Sequence, residues 1–199
     1  PLWRDDGRSL IHLGAALTYR DPQGEATSFS SRPEAHQAPG IVDTDDIFAD
    51  NVARFGGELA AQHGPVWFQG EFIDALTDGV DPQRNFFGYY VQAGWFLTGE
   101  SRPYRRENGT IDRVRPRHSF LVDGGLGAWE LAARWSSIDL DSGAVRGGQA
   151  HDVTVGINWY LNSMTRVTGN YVFSDRIGVG DADAAVGSES HVERAVGEI

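Results

Sequence analysis

The chain has 199 residues, 17 basic and 28 acidic side chains, a formal net charge of −11 and no cysteine. No stretch reaches the ~18 uninterrupted apolar residues that a spanning helix needs, so a helical membrane protein is excluded. Disulfides, iron–sulfur clusters and thiolate zinc sites are excluded by the missing cysteines, and the acidic balance argues against nucleic acid as a partner.

Every basic residue is an arginine, so the point-charge anion binder lysine is missing. The chain opens on Pro1-Leu2-Trp3-Arg4 and ends on Ala195-Val196-Gly197-Glu198-Ile199, and both ends read as truncations. Between them, period-two alternation dominates. Ile11, Leu13, Ala15, Leu17 and Tyr19 alternate with His12, Gly14, Ala16, Thr18 and Arg20. Residues 26–36 are a weaker strand candidate. Ala53 to Ala61 and Val66 to Phe72 repeat the pattern, with Arg54, Glu58 and Glu71 on the polar side. Phe87, Tyr89, Val91, Ala93, Trp95 and Leu97 share one face of the next segment. Gly127 to Trp135, Val153 to Leu161 and Val167 to Phe173 follow, and 190–199 is a weaker candidate. The pattern gives about nine strands and no convincing helix.

Asp21-Pro22-Gln23-Gly24, His63-Gly64-Pro65 and Asn162-Ser163-Met164 read as tight turns. Residues 38–46, 77–84, 140–148 and 175–189 read as longer polar links. The Arg-rich segment 99–124 breaks this alternation of short and long. Its basic cluster (Arg102, Arg105, Arg106, Arg113, Arg115, Arg117) reads as a solvated loop, or as a rim that attracts anions or meets a partner. The acidic stretch with Asp181, Asp183 and Glu189 reads as a surface loop, with a divalent-cation site as the alternative.

Tight turns alternating with long links, and apolar faces carrying Trp and Tyr near strand ends, fit an all-β, antiparallel up-and-down transmembrane β-barrel. A soluble sandwich is the competing fold, but its strands are usually shorter, ~5–6 residues. Neither a nucleophile elbow nor a paired-histidine metal motif is present, so no catalytic residue, metal or cofactor is expected. His12 stands alone on its polar face.

Several stretches also carry a family pattern. They are Ser31-Arg32-Pro33-Glu34-Ala35-His36, Phe96 to Arg102, Gly127 to Trp135 with Ile138-Asp139-Leu140, and Asn158-Trp159-Tyr160-Leu161-Asn162 with Asn170-Tyr171-Val172. Through them the chain resembles the phosphate- and polyphosphate-selective porins of Gram-negative outer membranes. The resemblance implies about nine strands of a sixteen-stranded barrel, its C-terminal half, within a homotrimer. It also implies surroundings of outer-membrane lipid and lipopolysaccharide, with small anions in transit. The whole of 1–199 would belong to that one barrel domain.

The inferred lumen side carries Arg20, Arg32, Arg54, Arg134 and Arg166 against Glu34, Glu58, Glu71, Glu130 and Asp152. The pore-lining candidates are Arg20, Arg32, Arg54, Glu58, Glu71, Glu130, Arg134 and Arg166. Arginine offers anions a planar fork of donors. The alternative is that these charges pair across strands and brace the wall. A general porin without phosphate preference remains open for the same reason, as does a soluble β-rich binding module.

Overall fold

The computed structural model describes residues 2–3, 8–34, 39–79, 83–105, 107, 109–122, 124–178 and 191–195. Nine antiparallel strands form one sheet, each paired with the next. They are β1 (Leu2–Trp3), β2 (Ser9–Arg20), β3 (Asn51–His63), β4 (Val66–Asp78), β5 (Arg84–Phe96), β6 (Ala128–Ser142), β7 (Val145–Tyr160), β8 (Arg166–Ile177) and β9 (His191–Ala195). The sheet is not closed, for β1 and β9 are its two edges. No helix occurs among the described residues. Strands β2 to β8 run for 12 to 16 residues, beyond the usual sandwich strand.

The register sorts side chains into two faces. On the bare face, Leu13, Leu59, Gly70, Val91, Trp135 and Val153 stand in one row across six strands. Its large apolar groups are open to the surroundings, with Leu13 70% and Leu17 75% exposed. Aromatics mark two levels on this face. Trp95 and Trp129 lie low, Tyr89 and Trp135 six residues higher, about 20 Å along a strand. On the covered face the corresponding row is Gly14, Glu58, Glu71, Tyr90, Ser136 and Asp152.

Two connections cover that second face. Residues 21–50 leave β2 and form two small ladders, Ala26–Thr27 on Ile47–Phe48 and Ser30–Ser31 on Val42–Asp43. Ile41, Val42 and Ile47 bury themselves against Ala75, Phe86, Leu140 and Ala150, and Phe29 packs on Phe86. The strand expected over 26–36 is therefore absent from the sheet. Its apolar residues are spent on the sheet's face, not in its row of strands. Two corrections follow. The turn at 21–24 opens this long connection, at the opposite end of the sheet from 64–65. The polar stretch 140–148 is a tight hairpin, with Gly143 at φ 59° between β6 and β7. Charged residues there lie on strand ends that outrun the apolar rows.

The second connection, 97–127, comes from the end that also carries 64–65 and 161–165. Its first part crosses the covered face, where Val114 joins Trp67, Phe96, Ala128 and Tyr160 in a buried cluster. Arg102 and Val114 are drawn into this corner, while Arg105, Arg113, Arg115 and Arg117 stay exposed as a solvated loop would have them. The expected acidic segment 181–189, together with Ala35, His36 and Arg106, lies outside the described residues.

One close approach fixes this corner. Trp67 pairs with Gly94 in register, and a Cβ at Gly94 would sit 2.5 Å from the Trp67 ring. Gly94→Val is expected to cost about 1–3 kcal/mol through forced repacking. Loss of the folded, heat-resistant band at a lower temperature in gel electrophoresis checks this.

Candidate functional site

The covered face is organised by two carboxylates, each tying a connection to the wall. Glu130, on β6, is fully buried. Its Oε1 accepts from Trp67 Nε1 at 2.7 Å and from an Arg102 guanidinium nitrogen at 3.2 Å. Its Oε2 accepts from Tyr160 Oη at 2.8 Å and Asn158 Nδ2 at 2.9 Å. A buried charge is tolerable only when paired and hydrogen-bonded, and here all four donors converge. The Arg102 guanidinium also lies over the Trp67 ring, 3.3 Å from its centroid. Burial pushes the Arg102 pKa down, while Glu130 pulls it back up. Around this pair the segment is stapled by Arg102 N donating to Gln62 Oε1, and by Arg117 donating to the Gly99 carbonyl at 2.7 Å. Further out, Arg105 bonds Asp112 and holds its carboxyl below the usual range.

The second carboxylate is Glu34, from the first connection. It accepts from Arg134 Nε, from Ser136 Oγ at 2.7 Å and from Thr154 Oγ1 at 2.7 Å. Its backbone N donates to Asp152 Oδ2 at 3.2 Å. Arg134 lies over the Tyr90 ring at 3.8 Å.

Between these anchors the face holds open space. A cavity of about 710 Å³ is lined by Arg32, Arg54, Glu71, Tyr90, Arg134 and Asp152, among others. A second, of about 540 Å³, lies at the other end beside Arg102, Arg113 and Arg166.

The eight expected lining residues all lie on or over the covered face. Glu58 pairs with His12 at 3.0 Å, and His12 also bonds Tyr104 Oη at 2.6 Å. His12 is therefore not alone; the Arg-rich connection reaches it. Glu71 interacts with Tyr90. Arg54 is exposed, sits over the Phe29 ring, and has no carboxylate partner among the described residues. Arg166 lies 5.6 Å from the Tyr160 ring. Arg20 stands at the end of β2, and Arg32 lines the larger cavity.

Bracing does occur, but in an unexpected form. Glu130 and Arg134 do not pair with charges on adjacent strands; each ties the wall to a covering connection. The residues that sequence reasoning missed are Trp67, Arg102, Tyr104, Asn158 and Tyr160 as partners. One signal pointed there: a glutamate on a face otherwise carrying Trp67, Phe96 and Tyr160 requires a cation.

Residues 4–193 match the family model described as phosphate-selective porin O and P. An uncharacterized protein of Caulobacter vibrioides is 31% identical over 196 residues, covering 90% of this chain and 38% of its own. Porin O of Pseudomonas aeruginosa is 27% identical over 195 residues, covering 82% of this chain and 43% of its own. The chain thus spans about two fifths of the length of these curated relatives.

Proposed function

Because the chain belongs to the phosphate-selective porin O and P family, we propose that it forms part of the wall of an outer-membrane porin, a water-filled diffusion channel for small anions. The nine strands contribute one section of a larger barrel within a homotrimer, since an open sheet edge is not tolerated in lipid. The observation that carries this reading is the contrast between the faces. Leu13 to Val153 make an apolar row, and the row directly behind it is Glu58, Glu71, Tyr90, Ser136 and Asp152. The bare face meets lipid and lipopolysaccharide; the covered face lines the channel. The end with the 64–65 and 161–165 turns faces the periplasm, as short turns do in such barrels.

Selectivity in a diffusion pore comes from width and from the field of the lining charges. The two inward connections set the width here. Arg134 and Arg102 are held by carboxylates, so they contribute little net charge. Arg54 and Arg166 carry the remaining positive field, with Arg20 nearer the outer mouth. Each can offer a dehydrating anion a charge-assisted fork.

The test is the reversal potential of the whole porin in planar bilayers under a salt gradient. Chloride or phosphate is expected to pass more readily than potassium, and a cation-favouring potential would refute the reading. Arg54→Glu changes the local charge by two. At ~8 Å and an effective dielectric of ~40–80, each unit charge is worth about 0.5–1 kcal/mol. The anion-to-cation permeability ratio is then expected to fall several-fold. An unchanged ratio would favour a general porin whose arginines only brace the wall.

A further inference from the structure

The connection 97–127 divides into two halves that leave the wall in opposite directions. The first crosses the covered face. The second, 118–127, folds back over the bare face. Trp159 shows this: it stands on that face, stacked on Trp129 at 5.0 Å. Its Nε1 donates to the Leu126 carbonyl at 2.8 Å, and Phe120 meets its ring edge-on at 4.7 Å.

This second half is a built loop. Gly127 N donates to the His118 carbonyl, closing the loop, and Phe120 N donates to the Leu161 carbonyl, tying it to the neighbouring turn. Leu121 N to the Gly125 carbonyl and Gly125 N to the Val122 carbonyl close it internally. A Cβ on Gly125 would lie 2.2 Å from the Ser119 carbonyl, so the loop is tight. Yet its apolar side chains are turned out. Leu121 is 81%, Leu126 70% and Val122 56% exposed. A water-facing loop gains nothing from presenting three such groups together.

We propose that Leu121, Val122 and Leu126 form a membrane-surface anchor that inserts into the phospholipid leaflet at the periplasmic end of the barrel. This rests on the reading of the bare face as lipid-facing. The occupant follows from two features. The loop continues that face beyond its lower Trp pair, at the level where amphipathic rings sit between acyl chain and headgroup. The exposed Arg115, Arg117 and His118 lead into it, matching anionic headgroups. Interfacial apolar groups of this kind reach about 5–10 Å into the headgroup boundary.

The experiment uses the whole porin in phosphatidylethanolamine–phosphatidylglycerol vesicles. The described sheet has no native cysteine, so Leu121→Cys and, separately, Leu126→Cys carry an environment-sensitive fluorophore. Val155→Cys, mid-strand on the bare face, reports the lipid-facing wall itself. The expected result at Leu121 and Leu126 is blue-shifted emission, quenched more by lipid bearing a nitroxide near the glycerol than by aqueous iodide. Quenching by iodide alone at both positions, with lipid quenching kept at Val155, overturns the anchor and leaves the wall. Loss of lipid quenching at Val155 as well overturns the lipid-facing wall and the anchor with it. Self-quenching between labels that ignores the lipid nitroxide would place a second copy there, and also overturns the anchor.

Discussion

Replacing Glu130 with alanine is expected to cost the folded porin about 3–5 kcal/mol, the usual loss when one partner of a buried ion pair is removed. The reason is the number of groups left behind. Trp67 Nε1, Asn158, Tyr160 and the Arg102 guanidinium all lose their acceptor at once around a carboxylate that is itself fully buried. Each unanswered buried donor costs about 1–3 kcal/mol, partly offset as neighbours relax. The effect reaches the channel because Arg102 roots the segment that crosses the covered face. With its root released, single-channel conductance is expected to rise, and trypsin to cut after Arg105 or Arg113 in protein that keeps its β-sheet circular dichroism. Glu130→Gln keeps the shape and one acceptor, so it falls between. An alanine variant with wild-type conductance and unfolding midpoint would show that the segment is held elsewhere.

The second large effect is expected at Glu34. Hydrogen bonds to charged groups contribute about 1.5–3 kcal/mol, and Glu34 accepts from three donors on β6 and β7. Glu34→Ala and Arg134→Ala both break this seat, so both are expected to loosen the first connection and raise conductance. They differ in sign on selectivity. Removing Glu34 leaves Arg134 uncompensated near the larger cavity and strengthens anion preference. Removing Arg134 leaves Glu34 beside Asp152 and weakens it. Reversal potentials moving in the same direction in both variants would refute the pairing as a control on the field.

The sheet was legible because its bare face is a pure period-two signal. Apart from the 118–127 loop at its lower edge, no described segment packs on that face, so Leu13, Leu17, Val153 and Val155 keep the alternation undisturbed. The same physics hid the connections. Phe29, Ile41, Val42 and Ile47 look like strand residues, yet their partners are Ala75, Phe86 and Leu140 on a surface already formed. No local pattern distinguishes burial in a row of strands from burial against the sheet's face. The hairpin at 143–144 was missed for the converse reason. Asp139, Asp141 and Arg146 are polar because their strand ends outrun the apolar rows, not because they are loop.

The candidate site was legible by face and illegible by partner. Parity alone puts Glu58, Glu71, Glu130 and Arg134 on one side. What each one touches depends on chain far away in sequence. Glu130 meets Arg102 across 28 residues, and Glu34 meets Arg134 across 100. Spacing carries no information over such distances. Only the demand of a buried charge for a counterion could have been read in advance, and it does not say which arginine answers.

The two inward connections also differ in sign. The one from the 64–65 end carries Arg102, Arg105, Arg113, Arg115 and Arg117 against Glu100, Glu107 and Asp112. The opposite end of the sheet gathers Asp43, Asp45, Asp46, Asp50 and Asp78. The pathway thus has a standing electrical gradient along its own axis, even where opposite charges cancel across its width. Anions driven from the acidic mouth and from the basic mouth meet different entrance barriers. On the proposed pore reading the whole porin is expected to rectify, equal voltages of opposite polarity drawing unequal currents, more so in dilute salt than in concentrated, where the mouths are screened.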